Sequence, residues 1–364
     1  MNELQLPASD LWRDLAARKC PVVLYGMGNG ADKILRVCDT YGIKVSDFFA
    51  SDGFVRGHQF HGKTVLSYSA VREKYGDGRF VILVSFATKL PEVMERIRAI
   101  SRENELYIPD VPVFGEELFN LEFALAHEKE LRAARGLFAD ERSREVYDAI
   151  VRYRLSGRLD DLEASACSRN EVTGQILRPD RYRVTADLGA YNGDTIRELL
   201  AFAPGVRRIY AMEPDARTYR KLTEYAKAET RAEIFPIEAC AWNEQTTLFF
   251  DASGNRNSNV KTEAGGSERR EVKALPLDSL FVQESVDYIK YDVEGSEAEA
   301  LAGSAETIRR CRPDLLVSLY HRSTDLFRLT QDVHSLLPDA RLYLRRFPYF
   351  PAWDLNLYAV SERN

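Results

Sequence analysis

The sequence of 364 residues has no excess of positive charge, no paired cysteine motif and no long apolar run. Its net charge of −6 argues against a general nucleic-acid partner. Its five cysteines are scattered and lack a C-x-x-C pair, which excludes a disulfide framework or zinc site and fits reduced thiols. No run approaches the roughly 20 apolar residues of a membrane span. The start of the chain lacks the basic and apolar regions of a signal peptide, so we expect a cytoplasmic protein.

The length of the chain favours two domains. Strand patterns that alternate with helical patterns predict a small parallel α/β domain at 1–115. Glu, Ala, Leu and Arg then dominate, with apolar residues at helical spacing, which predicts a helical linker at 116–178. Strand patterns return at 179–364 and predict a second α/β domain. Short arginine pairs such as Arg345-Arg346 are expected to be solvated faces or local anion contacts.

Seven strands are predicted in the second domain, at 183–188, 207–212, 233–238, 286–291, 314–320, 340–347 and 354–361. The first five alternate with helices or loops, so they should pair in parallel. Only a proline-containing turn separates the last two, which predicts an antiparallel hairpin at the end of the sheet. The polar, glycine-rich segment 251–270 is long for a loop, and we expect it to act as a lid.

A strand runs into a glycine turn at residues 185–195, Thr-Ala-Asp-Leu-Gly-Ala-Tyr-Asn-Gly-Asp-Thr. Asp187 ends the strand, and Gly189 and Gly193 would let a ligand approach the backbone. Glu213 ends the next strand, where an acid suits a ribose diol. The turn lacks the third glycine of a dinucleotide fingerprint, so it suits a nucleoside with an amino-acid tail, such as S-adenosylmethionine (SAM). An ordinary tight turn would also use glycine and aspartate.

A second acidic turn lies at 287–297, Asp-Tyr-Ile-Lys-Tyr-Asp-Val-Glu-Gly-Ser-Glu. Asp292 ends a strand that borders the same crevice as Asp187. Asp292 could orient a sulfonium, accept a proton from an acceptor hydroxyl or bind a metal ion, and Glu294 could do the last two. The structural alternative is capping of the next helix, which acids near its amino terminus favour.

These two turns, in this order, resemble those of the FkbM-type methyltransferases, which are class I, SAM-dependent enzymes that mostly O-methylate sugars, polyketides and other metabolites. The resemblance covers about 180–364, and its most specific part is Lys-x-Asp-x-Glu-Gly. It implies a mostly parallel seven-stranded sheet with a C-terminal antiparallel hairpin. Tyr191 departs from the pattern because it is bulkier than expected in the turn. The cofactor positions that the resemblance implies are Asp187, Gly189, Ala190, Asn192, Gly193, Glu213, Pro214, Ala241, Trp242 and Asp292.

His321 ends the fifth strand of this domain, level with Asp292. A histidine there could act as a general base near neutral pH, so we predict Asp292 and His321 as catalytic. Together with Asp292 and Glu294, His321 could also complete a site for a divalent metal such as Mg²⁺. The structural alternative is a histidine that is hydrogen-bonded at the rim.

The amino-terminal half contains Gly-Met-Gly-Asn-Gly-Ala at 26–31 after a strand, with Asp52 near the distance expected of a ribose-binding acid. This resembles small Rossmann-like domains that are appended to sugar-modifying enzymes. A dinucleotide or nucleotide sugar could bind there, or the turn could serve packing or the docking of a partner.

The sequence therefore predicts a SAM-dependent methyltransferase that O-methylates a sugar hydroxyl on a glycan, nucleotide sugar or related small metabolite. Ser258, Asn259 and Tyr320 are further candidates for acceptor contacts. One alternative is a nucleotide- or NAD-binding oxidoreductase or sensor that uses the amino-terminal domain, and another is an inactive methyltransferase-like scaffold. Assembly into a homo-oligomer stays open.

Overall fold

The structure, a computed structural model, describes residues 4–51, 55, 57–251, 260–261 and 269–362. Three residues with predicted roles, Asp52, Ser258 and Asn259, lie outside these residues, as does most of the predicted lid. All five cysteines carry free thiols. Within the described ranges, no helix combines the length and the apolar character that a membrane crossing requires.

The amino-terminal half is a parallel sheet flanked by helices. Its strands are β1 (Val22–Tyr25), β2 (Val45–Ala50), β3 (Gln59–Phe60), β4 (Lys63–Thr64), β5 (Leu66–Ser67), β6 (Val81–Val84) and β7 (Glu105–Tyr107). Its helices are α1 (Leu11–Ala16), α2 (Asn29–Thr40), α3 (Tyr68–Tyr75) and α4 (Pro91–Glu103). Five strands pair in the order β5-β2-β1-β6-β7, and β3 pairs with β4 in a separate hairpin. Strands β1 and β6 are buried along their whole length, as expected for a sheet covered on both faces.

Helices follow one another between the two sheets, as the apolar spacing predicts. They are α5 (Leu121–Ala126), α6 (Glu128–Gly136), α7 (Glu141–Ser156), α8 (Leu159–Ala164) and α9 (Arg169–Glu171), with a π turn at Val172–Ile176 and a 3₁₀ turn at Pro179–Arg181. Helix α7 begins where Asp140 accepts a hydrogen bond from the Ser143 N–H, and it ends at Gly157, whose φ is 64°.

The carboxyl-terminal half contains a seven-stranded sheet with the predicted hairpin. Its strands are β8 (Val184–Leu188), β9 (Arg208–Met212), β10 (Glu233–Ile237), β11 (Cys240–Ala241), β12 (Thr246–Asp251), β13 (Val260–Lys261), β14 (Arg269–Leu275), β15 (Tyr288–Tyr291), β16 (Asp314–Ser318), β17 (Arg341–Arg346) and β18 (Leu355–Val360). Its helices are α10 (Asp194–Phe202), α11 (Ala216–Ala228), α12 (Glu297–Ala302), α13 (Ala305–Cys311) and α14 (Asp325–Leu336). The large sheet has the order β10-β9-β8-β15-β16-β18-β17. Strand β18 is antiparallel to both of its neighbours, and the other pairs of this sheet are parallel. This confirms the predicted α/β fold class, with a mostly parallel sheet and an antiparallel hairpin at its end.

A small second sheet was not predicted. Strands β11, β14, β12 and β13 pair in that order, and β12 is antiparallel to β14 over six residue pairs. The prediction of a loop at 251–270 was therefore wrong for Asp251, for Val260–Lys261 and for the first residues of β14, which are strands. Among the side chains that the structure describes, this sheet covers a small apolar cluster of Leu248, Val272, Ala274 and Cys240, with Trp242 against it. So few apolar positions leave a weak alternating pattern in the sequence.

The helical segment packs against strand β17 through two buried arginines. Arg345 contacts the carboxylates of Asp140 and Glu171, which fits the expected local anion contact. Arg346 is 1% exposed, so the expectation of a solvated face is wrong for this residue. Its guanidinium donates to the Ser165 hydroxyl and to the backbone carbonyl groups of Leu162, Phe347 and Tyr349. The helices at 116–178 are thus hydrogen-bonded to the last strands of the large sheet.

Replacement of Arg346 tests this attachment. Arg346→Met keeps the aliphatic length but removes the donors from three buried carbonyl oxygens, so we expect the free energy of unfolding to fall by about 3 kcal/mol. Arg341→Met, on the exposed start of the same strand, is the matched control and should change it by less than about 0.5 kcal/mol. Urea unfolding followed by circular dichroism measures both. Equal effects of the two substitutions would contradict a structural role for Arg346.

Candidate active site

The two predicted turns and His321 meet at one edge of the large sheet. Strands β8, β15 and β16 are parallel neighbours, so their carboxyl ends lie side by side. Asp187 lies at the end of β8, Asp292 follows β15, and His321 follows β16. The crevice outside the carboxyl ends of such strands is where α/β sheets bind ligands.

The glycines of the first turn are required by contacts within the protein. Gly189 has a φ of 85°, and a Cβ atom there would lie 1.9 Å from the Asp292 carbonyl oxygen. Gly193 has a φ of 82°, and a Cβ atom there would lie 2.3 Å from the Tyr225 ring. Neighbouring protein atoms occupy the position that a side chain would take, so both glycines meet a packing need. Contact of their backbone with a cofactor stays a prediction.

The middle of this turn contains an exposed tyrosine ring and a buried asparagine side chain. Tyr191 has a positive φ of 47°, and its ring is exposed. Its N–H donates to the Glu213 carboxylate. The Asn192 Oδ1 atom is buried and has no hydrogen-bond partner among the described residues. An unpaired buried acceptor is unfavourable, and an ordered water or a ligand could supply its donor.

Lys290 joins the two acidic turns, although no role was predicted for it. Its buried Nζ atom lies 3.0 Å from Asp187 Oδ1, 3.2 Å from the Gly189 carbonyl oxygen and 3.7 Å from Asp292 Oδ2. Burial alone would lower the pKa of Lys290, but the carboxylates of Asp187 and Asp292 outweigh burial and raise it. The second oxygen of Asp187 accepts from the Thr195 hydroxyl. Asp187 is thus held by protein groups on both oxygens. A lysine within an otherwise apolar buried strand was the available sequence signal.

Glu213 lies at the end of β9, as predicted, and is almost completely buried. Its two oxygens accept hydrogen bonds from the N–H groups of Tyr191 and Asp215. Burial raises the pKa of Glu213 to about 7, against the opposing effect of these hydrogen bonds. The carboxylate is therefore close to its titration point at neutral pH.

Two of the predicted cofactor positions, Ala241 and Trp242, lie in or next to the small sheet. Ala241 lies in β11, and Trp242 follows it. The Trp242 N–H donates to the Leu275 carbonyl group, and its partly buried side chain packs against the apolar cluster of that sheet. Part of the indole is therefore used in packing, and contact with a cofactor stays a prediction, as it does for Ala190 and Pro214.

Asp292 is held in an ionised form at the sheet edge. Its side chain is 30% exposed, and Oδ1 accepts hydrogen bonds of 2.9 Å from the hydroxyls of Ser318 and Tyr320. Burial alone would raise the pKa of Asp292, but the positive charges of Lys290 and His321 and the two hydroxyl donors lower it below its ordinary value.

His321 is completely buried and faces carboxylates on both sides. Its Nδ1 atom lies 2.9 Å from Glu297, and its Nε2 atom lies 3.5 Å from Glu294 and 3.8 Å from Asp292. Burial alone would lower the pKa of His321, but Glu297 and Glu294 outweigh it and raise the pKa well above its ordinary value. These carboxylates favour the charged form of the ring, and the role of general base stays a prediction. Glu297, the first residue of α12, is the partner that sequence reasoning missed.

A cavity of about 390 Å³ opens at this edge. Asp187, Lys290, Asp292 and Glu294 line it, whereas neither His321 nor Glu213 is among its lining residues. The cavity wall also includes residues from the amino-terminal half, from the helical segment and from the aromatic end of the chain, among them Lys89, Val113, Arg169, Thr173, Tyr320, Tyr349 and Trp353.

Residues 187–349, which contain both acidic turns, match the family model described as the methyltransferase FkbM domain. This segment is an FkbM methyltransferase domain. A crystal structure of methyltransferase FkbM from Methylobacillus flagellatus KT is similar in fold, with a TM-score of 0.71 and 20% identity, over 95% of this chain and 92% of that chain. Fibrillarin from Aeropyrum pernix, in complex with natively bound SAM, has a TM-score of 0.34 and 20% identity over 52% of this chain and 71% of that chain. A search of curated proteins found no match.

The match confirms the family resemblance, and the sheet order described above gives this FkbM domain the expected class I architecture. The structural similarity covers the amino-terminal half and the helical segment as well as the FkbM domain. The roles of individual residues in this domain stay predictions.

Lys290→Met tests the link between the two turns. The substitution leaves the buried carboxylate of Asp187 without its cation, so we expect the free energy of unfolding to fall by about 3 kcal/mol. The double substitution Lys290→Met/Asp187→Leu should recover part of this loss because it also removes the unpaired charge. Chemical unfolding measures both, with Lys221→Met on the exposed face of α11 as control. If Lys290→Met were as stable as the control, the link would not be structural.

Glu213→Gln tests the raised pKa. Between the ordinary pKa of 4.5 and the folded value of about 7, the folded protein binds more protons at Glu213 than the unfolded chain does. The stability that this group contributes is therefore complete below pH 4.5 and is lost as the pH rises through 7. We expect Glu213→Gln to be more stable than the wild type at pH 8 by up to about 3 kcal/mol, with a much smaller difference at pH 5.

Urea unfolding at the two pH values measures this difference, and Glu224→Gln on the exposed face of α11 is the matched control. A variant that is less stable than the wild type at pH 8 would show that the protein favours the charged form of Glu213.

Proposed function

We propose that this chain is a SAM-dependent O-methyltransferase whose acceptor is a sugar hydroxyl on a glycan, nucleotide sugar or related small metabolite. The observation that carries the proposal is the cavity at the edge of the FkbM domain, where Asp292 faces the same space as an aromatic wall. Aromatic faces combined with a few placed polar groups are typical of small-molecule sites.

The first turn provides groups that fit SAM. The Glu213 carboxylate at the end of β9 would accept hydrogen bonds from the ribose hydroxyls. The unpaired Asn192 Oδ1 would accept a hydrogen bond from the cofactor. Asp187 lines the cavity, and each of its oxygens, like those of Glu213, accepts one hydrogen bond and can accept another. Asp187 would therefore hold the turn through Lys290 and also contact the cofactor. When bound, SAM supplies an activated methyl group: the acceptor oxygen forms the new bond to carbon, the carbon–sulfur electron pair goes to sulfur, and the acceptor loses its proton.

Asp292 is the group that would take this proton. It lines the cavity, it is ionised, and the hydroxyls of Ser318 and Tyr320 hold its carboxylate in one orientation. A strong base is not required, because positioning supplies much of the rate of an in-line displacement. His321 lies behind Asp292 and would hold it in place rather than contact the acceptor.

The aromatic wall supports a ring-shaped acceptor that carries hydroxyl groups. Tyr320 and Trp353 are stacked with ring centroids 6.4 Å apart, and Tyr349 lies 5.7 Å from Trp353. Such faces pack well against the C–H side of a sugar ring, while nearby polar side chains such as Asn356 and Thr173 can bond its hydroxyls.

The alternative of nucleotide chemistry in the amino-terminal half has weaker support. A cavity of about 320 Å³ includes Met27, Asn29 and Gly30 among its lining residues. However, a Cβ atom at Gly30 would lie 2.2 Å from the Ser85 carbonyl oxygen, and one at Gly26 would lie 2.7 Å from the Phe86 ring. Both glycines therefore meet a packing need, which is the structural alternative for this turn.

Calorimetry with SAM and S-adenosylhomocysteine tests the cofactor. We expect both to bind the wild type, and Glu213→Ala to weaken binding at least tenfold, while Glu224→Ala changes it less than twofold. Transfer of label from methyl-tritiated SAM to a panel of nucleotide sugars and oligosaccharides then tests the reaction. Asp292→Asn should keep SAM affinity within about threefold and lose most of the transfer.

Each outcome separates the hypotheses. Absence of SAM binding overturns the proposal. SAM binding without transfer to any acceptor favours the inactive scaffold. Binding of NADH that Gly28→Val abolishes would favour the alternative in the amino-terminal half.

A further inference from the structure

The sheet of the amino-terminal half has a cavity at the edge where sheets of this kind bind ligands. Its strand order is β5-β2-β1-β6-β7, so the chain leaves β1 toward one side and returns at β6 on the other. The crevice at the carboxyl ends of such a strand pair is a common ligand site. Met27, which follows β1, and Ala87, which follows β6, both line the cavity of about 320 Å³ found there. We call it the apolar cavity, and its size is typical of small-molecule sites.

The walls of the apolar cavity consist mainly of hydrocarbon and aromatic groups. They come from helix α2, from the end of β6 and from two later segments, and they include Ile34, Val84, Phe86, Ile108, Val111 and Pro351. Water in contact with such walls is released when an apolar group takes its place, which favours binding.

The polar residues of this wall are largely used within the protein. Lys33 is the charged residue among the lining residues that the structure describes, and its Nζ atom donates to the carbonyl groups of Pro112 and Val113 at 2.8 and 2.7 Å. Its methylene groups therefore contribute to the wall while its charge is satisfied elsewhere. The Ser85 hydroxyl donates to the Tyr25 carbonyl group. The cavity thus provides few groups for the recognition of a charged ligand.

The apolar cavity adjoins the cavity of about 390 Å³ at the edge of the FkbM domain, which we call the acceptor space. Val113 and Trp353 line both. Ala87 lines the apolar cavity and Lys89 lines the acceptor space, so one segment of chain follows the two cavities. Thr88, between them, is bonded to the aromatic end of the chain, because its N–H and carbonyl group pair with those of Phe350 at 2.7 and 2.9 Å.

The junction between the cavities is held from both sides. The Phe114 N–H donates to the His321 carbonyl group at 2.8 Å, which fixes this segment to the end of the large sheet. Lys33 holds the carbonyl group of Val113 from helix α2. Val113 itself is buried. A junction that is already ordered requires little loss of freedom when a ligand binds across it.

We propose that the apolar cavity binds an apolar group of the acceptor, while the ring that carries the methylated hydroxyl lies in the acceptor space. Val113 and Trp353 would contact both parts of the acceptor. The substrate class is then a sugar-like ring joined to an aliphatic or aromatic group. The placement of the ring rests on the proposed function, whereas the affinity of the apolar cavity for an apolar group does not.

Calorimetry of the full chain with three glucosides tests the cavity. The probes are methyl, phenyl and octyl β-D-glucoside, which share one sugar and differ in the apolar group, with the octyl compound kept below its critical micelle concentration. Binding strengthens with the apolar area that is removed from water, so we expect the phenyl or the octyl compound to bind at least about tenfold more tightly than the methyl compound, at one molecule per chain. Tighter binding of octyl indicates an aliphatic group, and tighter binding of phenyl an aromatic one.

A substitution that fills the cavity tests the location. Ala87→Phe places a ring in the apolar cavity and should reduce the preference over methyl glucoside to less than about threefold. Ala99→Phe, on the exposed face of α4, is the matched control and should keep the preference of the wild type. Val111→Phe fills the cavity from another segment and replaces Ala87→Phe if circular dichroism shows that the latter does not fold.

The inference is overturned if the wild type binds the three glucosides equally, or if the filled variants keep the preference that Ala99→Phe shows. It is also overturned if light scattering finds a wild-type dimer that Ala87→Phe dissociates, because a second copy of the chain would then cover the cavity. SAM binding without a preference among the glucosides contradicts this inference alone. A preference without SAM binding contradicts the proposed function alone.

Discussion

The buried ammonium group of Lys290 is the contact on which the rest of the site depends. It binds the carboxylate of Asp187 and the carbonyl oxygen of Gly189 in the first turn, and it lies close to Asp292 in the second. A buried charge without partners is very costly, so these turns must stay together for the strand to remain buried. The carbonyl group of Asp292 is packed directly against Gly189, which makes the junction too tight for any side chain at that glycine.

Around this junction, the cavity is completed by parts of the chain that are distant in sequence. The amino-terminal half contributes Lys89 and Val113, and the helical segment contributes Arg169. Buried Arg346 bonds that segment to the last strands, close to the aromatic wall. The shape of the acceptor space therefore depends on how the helices pack. Several residues that line it, such as Lys89 and Arg169, lie outside the matched segment 187–349.

Much of the fold could be predicted because alternating strand and helix patterns are local. The strands of the large sheet begin and end close to their predicted limits, as β8 and β17 do. The small sheet was missed because strands such as β14 bury few side chains and give a weak pattern. Burial of Arg346 was missed because an arginine pair looks the same in sequence whether water or carbonyl groups surround it.

The sequence by itself determined that Asp187, Asp292 and His321 would lie at one edge of a parallel sheet, because each follows a strand. Its two turns also carry the resemblance to the FkbM methyltransferase domain, which the match of residues 187–349 confirms. Only the tertiary structure decided what these groups do to one another. The charge on His321 depends on Glu297 and Glu294, and the ionisation of Glu213 depends on burial. A pKa reflects the charges and the solvent within a few ångströms, and these come from segments that only folding brings together.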